Sequence, residues 1–372
     1  DLLEALDWSA ADGSDVADAL KRLGPGAYDA AARASLIQQN EINLLVLRRL
    51  MATQTDSVWA EHALLVGRND EGSHLSGSQR ETKNTDTWQF WVTPYGGSSF
   101  QDSHKNISSW KSKGVGLIVG ADRHLQSDLD VGFHVAVATR RTHVKDNEKA
   151  LADSTSAFFG LQAIYAPDSW NGLYLTGQGR IGVENGKMDR TISINGYNRQ
   201  AESRWTGLAG SLQAGLGWNA HFDFEPGRFT MGPLAFVEYA FLHRPSLDED
   251  KGGAANLDVD DTTYDSLLMN LGLHAGWQTI LPSGNHLKCD VMAAWRHELL
   301  DSSFATSASF IGYGAPRFES DSDLPGRDSL LLQAGFTLSN NKDFTAQLDV
   351  GGEFFRQNYT GMNIGLDLSW QF

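Results

Sequence analysis

After Asp86 the chain alternates apolar and polar residues with a period of two, the pattern of strands with one apolar face. In TWQFWVTPYGG that face carries Trp88, Phe90 and Val92. In KGVGLIVGADR it carries Val115, Leu117, Val119 and Ala121. In DLDVGFHVAVATR it is Leu129, Val131, Phe133, Val135 and Val137, against Asp130, Gly132, His134, Ala136 and Ala138. The last segment, MNIGLDLSWQF, sets Met362, Ile364, Leu366, Leu368, Trp370 and Phe372 against Asn363, Gly365, Asp367, Ser369 and Gln371. Twelve such segments can be read, at about 86–98, 112–124, 128–143, 153–166, 170–187, 203–222, 229–243, 264–280, 286–300, 328–339, 342–357 and 360–372. Most exceed the ~9–11 residues that a tilted strand needs to cross a bilayer.

The N-terminal part has another period. Residues 1 to about 66 read as helical. Ser14 is placed to cap a short helix through Leu23, which Gly24-Pro25-Gly26 ends. A longer helical pattern follows from Tyr28 to about Met51, rich in Ala, Leu, Gln and Arg. Leu36, Asn40, Leu44 and Leu47 recur at 3–4 spacing and mark one mostly apolar stripe. The polar stretch Gly67 to Asp86 has no period and reads as a linker. The expected division is a helical segment over 1–52, a flexible linker over 53–85 and a strand-built domain over 86–372.

The connections sharpen the fold. The even-numbered ones are short, around Ser127, Asp168, Pro226, Pro282 to Asn285 and Asn340-Asn341. Those at 244–263 and 301–327 are long. The eleventh, near Asn358, departs from this alternation. Tight turns at one end and long loops at the other describe a transmembrane β-barrel of twelve antiparallel strands, all-β, with both ends on one side of the membrane. Trp88, Trp170, Trp205, Tyr239 and Trp370 lie toward strand ends, as aromatic girdles require. The opposite parity puts Asp130, Arg180, Glu184, Glu238, Asp290, Arg296, Glu298, Asp349, Glu353 and Asp367 in the lumen. A barrel of eight strands fills with side chains and one of 16–18 leaves a channel. Twelve strands leave room for about one helix. The segment from Ala27 to Met51, roughly 37 Å long as a helix, is long enough to span an apolar band ~25 Å tall. Arg48 and Arg49 on it are placed to meet the lumen acids, each partly wet pair contributing little. A soluble β-sandwich fits less well, since its strands are shorter and its loops need not alternate.

Composition adds exclusions. The net charge is −16 and the pI near 5.0, which argues against a nucleic-acid binder. One cysteine, Cys289, excludes an internal disulfide and a cysteine-built zinc site. No run of roughly 18 apolar residues exists for a membrane helix. A mean hydropathy of −0.33 is what a barrel shows when only every second residue is apolar. Glycine, at 38 residues, suits a wall packed close to a helix. The chain begins DLLEALDWSAAD, without Met, a basic n-region or an apolar h-region. It therefore reads as the C-terminal piece of a longer precursor.

Motifs of soluble enzymes do not survive inspection. Gly177-Gln178-Gly179-Arg180-Ile181-Gly182 fits G-x-G-x-x-G but sits inside an alternating strand, not at a strand-to-helix turn. Its glycines are expected instead to let the helix approach the wall. G-x-S-x-G, H-E-x-x-H and P-loop patterns are missing. His297-Glu298 is an isolated pair, and the acidic stretch Asp248–Asp261 reads as a solvated loop. No catalytic residue, metal site or cofactor is expected. Ile364, Leu366, Leu368, Trp370 and the terminal Phe372 form an apolar, aromatic-ended strand whose edge another protein can pair. They resemble the signal read by the outer-membrane barrel-assembly machinery.

With DVADALKRLGPGAYDAAARASL, WQFWVTPYGG as first strand, GVGLIVGADRHL as second and GLDLSWQF as last, the chain resembles the translocator unit of type Va autotransporters. The resemblance covers nearly the whole chain. It implies an outer-membrane barrel that assists export of its own N-terminal passenger and ends with its pore plugged by a helix through Leu36, Asn40, Asn43, Leu44, Leu47, Arg48 and Arg49. The implied partners are the passenger, the barrel-assembly machinery, periplasmic chaperones, and outer-membrane lipid with lipopolysaccharide. Nucleic acid is not among them, and the barrel is expected to be monomeric. Some members cut the passenger at the first of two adjacent asparagines after Glu-Val. Here Glu41-Ile42-Asn43-Leu44 lacks the second asparagine, so no self-cleavage is expected. A passive outer-membrane channel is the competing function, and a barrel hydrolase the third.

Overall fold

A computed structural model of the chain describes residues 2–11, 16–66, 88–103, 108–126, 128–145, 149–300, 304–312, 316–320, 326–340 and 343–371. Twelve long strands carry the fold: β1 (Trp88–Gln101), β2 (Trp110–Gln126), β3 (Leu129–Val144), β4 (Lys149–Tyr165), β5 (Leu173–Ile194), β6 (Tyr197–Trp218), β7 (Gly227–Arg244), β8 (Thr262–Ile280), β9 (His286–Glu298), β10 (Asp328–Ser339), β11 (Phe344–Arg356) and β12 (Tyr359–Gln371). Each pairs antiparallel with its neighbours in sequence. β1 also pairs with β12, from Gln89↔Gln371 to Gln101↔Tyr359. The sheet thus closes on itself, and its backbone donors and acceptors find partners without water, as a bilayer requires.

Alternation becomes two faces. Leu212 on β6, Leu273 on β8 and Ile364 on β12 are among the large apolar residues that point outward and stay exposed. Val115, Leu117 and Val119 do the same on β2, while Ile118 between them is fully buried. Inward rings lie flat over glycines of the next strand, Tyr95 over Gly116 and Trp91 over Gly120, where any Cβ would clash. Trp88, Trp170 and Trp370 are outward and exposed, as girdle residues should be. Trp205 is not. It has the inward parity of β6, is buried, and meets Tyr28 edge-on at 5.9 Å.

The two ends differ, but not by loop length alone. The expected loop after residue 187 does not exist. β5 and β6 run on as a tall hairpin closed by Asn195 and Gly196, both at positive φ, the conformation a two-residue turn needs. The long connections at the same end are folded. Leu247–Asp248, Leu257–Val259, Ser307–Phe310 and Phe318–Glu319 form a separate four-stranded sheet over the mouth. The acidic stretch expected to be solvated contributes Glu249 to the interior, where Arg190 grips it at 3.0 and 2.6 Å. At the opposite end Ala220–Phe224 pairs with the start of β7. The expected turn residue Ser127 lies outside the described residues.

Three helices precede the barrel: α1 (Leu2–Ala11), α2 (Val16–Lys21) and α3 (Gly26–Val66). α3 follows Pro25 and, after its first residue Gly26, meets no glycine or proline before Gly67, so its conformation passes residue 52, where the helical segment was expected to end. The remainder of the expected linker, 67–87, lies outside the described residues. α3 lies in the barrel lumen, touching strands from both halves of the wall. Its start meets the mouth sheet: Ala27 and Tyr28 share a buried cluster with Leu247, Leu257, Val259 and Ala308. α1 packs beside the β5–β6 hairpin, with Leu2 and Ala5 against Ile192 and Ile194.

Two substitutions test the outward face. Leu212→Arg, in the middle of the apolar band, is expected to lower the stability of the barrel folded into phosphatidylcholine vesicles by about 2–4 kcal/mol, read from guanidinium titration. Thr206→Arg, beyond the band on the same strand, should cost about 0–1 kcal/mol.

Candidate functional site

Over residues 26–52, α3 is buried or half-buried at every position. Leu44 and Leu47 pack against Leu234, Phe236, Met292, Ala294 and Leu331. A second apolar stripe, Ile42, Leu45, Val46 and Leu50, joins Leu36 in a cluster with Trp91, Tyr95, Ile118 and Phe158. The polar positions are as deeply covered: Gln38, Gln39, Asn40, Glu41, Asn43, Arg48 and Arg49 are all buried. A helix buried all round is a helix inside a closed wall. Over residues 26–52 it measures roughly 40 Å.

Buried charges must find partners, and for Glu41, Arg48 and Arg49 the wall supplies them. Arg48 forms ion pairs with Asp290 and, at 3.0 Å, Asp349. Arg49 reaches Asp122 at 2.9 Å and Asp367 at 2.7 Å, and its guanidinium lies 4.7 Å from the Trp91 ring centre. Thr93 donates to the other Asp367 oxygen at 2.6 Å. The Arg48 side chain is 3 % exposed and the Arg49 side chain 6 % exposed, so these pairs are buried rather than partly wet, contrary to expectation. Nearer the mouth, Arg140 pairs with Glu41, Ser35 donates to Glu184, and Arg180 donates to the Gln39 carbonyl. At the first turn Asp29 accepts from Thr306 and Ser320, each at 2.6 Å, where a helix favours negative charge.

The residues expected in the lumen therefore divide into three groups. Arg180, Glu184, Asp290, Asp349 and Asp367 contact α3 directly. Glu238, Arg296 and Glu353 join one another in the wall, with Glu238 also beside Asn43 of α3: Arg296 donates to Glu238 at 2.7 Å, to Glu353 at 3.0 Å and to Asn270 at 2.8 Å. Asp130 and Glu298 meet only wall residues in their hydrogen bonds, Asp130 with His124, Glu298 with Ser266 and the Leu267 amide. Asn43 faces β5, β6 and β7. Its Oδ1 accepts from Ser211 at 3.2 Å, its backbone carbonyl accepts from Gln178 at 2.8 Å, and its side chain lies beside Glu238.

Sequence reasoning passed over Glu41, Asp122 and Arg140. The parity that exposed Asp130 also marks Arg140 ten residues along β3, and Asp122 lies opposite in parity to Val119. The glycines that admit the helix were also misplaced. A Cβ on Gly97 would strike Glu41, on Gly335 Arg48, and on Gly365 Leu45. Gly177 has nothing within 4 Å, and Gly179 and Gly182 meet wall residues instead. Of the terminal strand, Ile364, Leu366, Leu368 and Trp370 stand on the outward parity of β12; Ile364, Leu368 and Trp370 are paired on both sides and Leu366 with Leu348 of β11, and Phe372 lies outside the described residues.

What the lumen can do chemically is hold: paired charges, amide contacts and apolar clusters join one helix to the wall, and further pairs brace the wall itself. Residues 90–351 match the profile of the autotransporter beta-domain family. Two extracellular serine proteases of Serratia marcescens are 22 % and 24 % identical over 284 and 287 residues, 76 % of this chain but 26 % of their own length. The chain thus spans about a quarter of these relatives. Among solved structures, the translocator domain of the autotransporter NalP from Neisseria meningitidis superimposes with a TM-score of 0.60 at 14 % identity, over 92 % of this chain and 99 % of that one. The transport unit of AIDA-I from Escherichia coli gives 0.59 at 14 % identity, over 87 % and 98 %.

Breaking one helix-to-wall cluster has a predictable cost. Arg48→Met leaves Asp290 and Asp349 buried without their cation and is expected to destabilise the folded chain by about 3–5 kcal/mol. Adding Asp290→Asn and Asp349→Asn should recover most of that loss. Unfolding midpoints of the single and triple variants in the same detergent provide the check.

Proposed function

The chain belongs to the autotransporter β-domain family of outer-membrane barrels that mediate secretion of an attached passenger, and from that premise we propose that α3 acts as the plug of its own export pore. The observation that carries this reading is the set of buried ion pairs joining Arg48 and Arg49 to Asp122, Asp290, Asp349 and Asp367. A water-filled channel has no need of charges committed to a helix. Two cavities between α3 and the wall measure about 30 Å³ each, room for about one water apiece.

In this reading, residues 1–52 are the end of the passenger and the pore helix, 53–85 the link back into the barrel, and 86–372 the translocator. The tight-turn end, where β1 begins and β12 ends, faces the periplasm. The mouth sheet and the β5–β6 hairpin stand outside the cell. Ile364, Leu366, Leu368, Trp370 and Phe372 serve as the assembly signal, read by the barrel-assembly machinery after delivery by periplasmic chaperones. The barrel works as a monomer in lipid and lipopolysaccharide. It performs no chemistry of its own, and protease activity is a property of the Serratia relatives named above.

Two measurements bear on this. In planar bilayers the whole chain is expected to conduct poorly, and removal of residues 1–66 should raise conductance; high conductance from the whole chain would favour an open channel instead. The mass of the chain after assembly in an outer membrane is expected to show no break at Asn43, which lies within continuous helix and precedes Leu44.

A further inference from the structure

The outward face carries one charged feature that the plugged pore does not use. Neighbouring outward positions on β2 to β6 fall in register. Leu117, Val137, Ala157, Val183 and Leu208 form an apolar row. One outward position nearer the mouth, the row is Val115, Thr139, Thr155, Asn185 and Thr206. The next row is Lys113, Arg141, Asp153, Lys187 and Arg204. Four cations thus flank a single carboxylate just where the apolar band ends, in a chain whose net charge is −16. Outward rows are spaced ~6.6 Å along a strand, and long basic side chains lay their stems on apolar surface while their charges reach the headgroup layer.

The flank is one-sided. On β7 to β12 and β1, the outward positions toward the mouth include Tyr239, Phe241, Asp265, Trp295, Asp328 and Phe100. Among the described residues none of these strands presents an exposed lysine or arginine there. Beyond the basic row, a cavity of about 770 Å³ opens on the same flank, lined by Lys111, His143, Lys145, Lys149 and Thr191 among others. That is the size of a site for a small ligand. Two cations of the row, Arg141 and Lys187, already hold acids, but in exposed pairs that are individually weak and leave the row net positive. Asp153 takes two hydrogen bonds from Arg141, at 2.6 and 3.1 Å. Asp189 accepts from Lys187 at 2.9 Å, and Glu202 accepts from Lys251 at 2.6 Å.

We propose that the outward flank of β2 to β6 at the mouth is a binding surface for the phosphorylated headgroup of an outer-leaflet glycolipid, its phosphates on the row of Lys113, Arg141, Lys187 and Arg204 and its sugars toward the cavity above. The inference rests on the mouth facing the cell exterior. An anionic headgroup complements a basic edge, and the apolar rows below receive the acyl chains. One flank rather than a full girdle binds, so the lipid has a fixed azimuth around the barrel.

The test uses the whole folded chain in detergent, with bisphosphorylated lipid A as probe and the same lipid stripped of phosphate as control. Bound lipid is counted by native mass spectrometry. The chain is expected to retain the phosphorylated probe at least about tenfold better than the control. The combined variant Lys113→Gln, Arg141→Gln, Lys187→Gln, Arg204→Gln should lose that preference, and Lys113→Arg with Lys187→Arg should keep it. Equal retention of both lipids, an unaltered preference in the neutralised variant, or displacement by inorganic phosphate at millimolar concentration would each overturn the proposal. Heat-modifiable gel migration separates a misfolded variant from a folded one; if the fourfold variant misfolds, the single changes Lys113→Gln and Arg204→Gln are read in the same way. Low conductance in the same preparation keeps the plug reading standing even where lipid preference fails.

Discussion

The constraint on which the structure rests is the pairing of β1 with β12. In hydrocarbon an unpaired strand edge would leave a row of amides and carbonyls with no partner, so a membrane-spanning sheet must close. Closure at twelve strands then fixes the bore. It is too wide to be filled by wall side chains alone and too narrow for a helix with much clearance. The interior follows from that number. Aromatic rings lie flat over glycines, Gly97, Gly335 and Gly365 keep their faces bare for α3, and polar residues on both partners meet in pairs.

Those pairs define the helix position as much as its stability. Apolar contacts between α3 and the wall change little if the helix slides or turns. Charges do not tolerate it: a rotation that carried Arg49 away from Asp122 and Asp367 would bury three ions without their counter-ions. Buried pairs contribute little net stability compared with apolar packing, but breaking them is costly. Here that asymmetry acts as a register, with Asp29 and the mouth sheet fixing the helix start and Arg48 and Arg49 fixing its lower part.

Much of this was legible in the residues. A two-residue period with outward Leu, Val and Ile defines the strands, and the same parity placed Arg180, Glu184, Asp290, Asp349 and Asp367 where they meet the helix. What was not legible depended on distance in space. Arg140 shows the same inward parity as Asp130, yet only its pairing with Glu41 distinguishes it. The stripe of Ile42, Leu45, Val46 and Leu50 was hidden because α3 is apolar on more than one face, and a single-face reading stops at the first. The mouth sheet joins segments roughly 60 residues apart, which local pattern does not reveal. The β5–β6 hairpin was missed because its upper half no longer turns apolar residues outward: Met188, Ile192 and Ile194 face in, while Asp189, Thr191 and Ser193 face out. Trp205 was assigned to a girdle by its place near a strand end, but its parity turns it inward to Tyr28.

The direction of α3 has a mechanical consequence. The helix enters at the mouth and leaves at the tight-turn end, so its axis runs along the barrel. A pull on the chain from the mouth loads the contacts of Ser35, Gln39, Glu41, Arg48 and Arg49 together, in shear, instead of peeling them one after another. Attachments loaded in parallel resist far more force than the same attachments unzipped in series. The barrel thus resists such a pull through many contacts acting at once, before the load passes along the chain to β1.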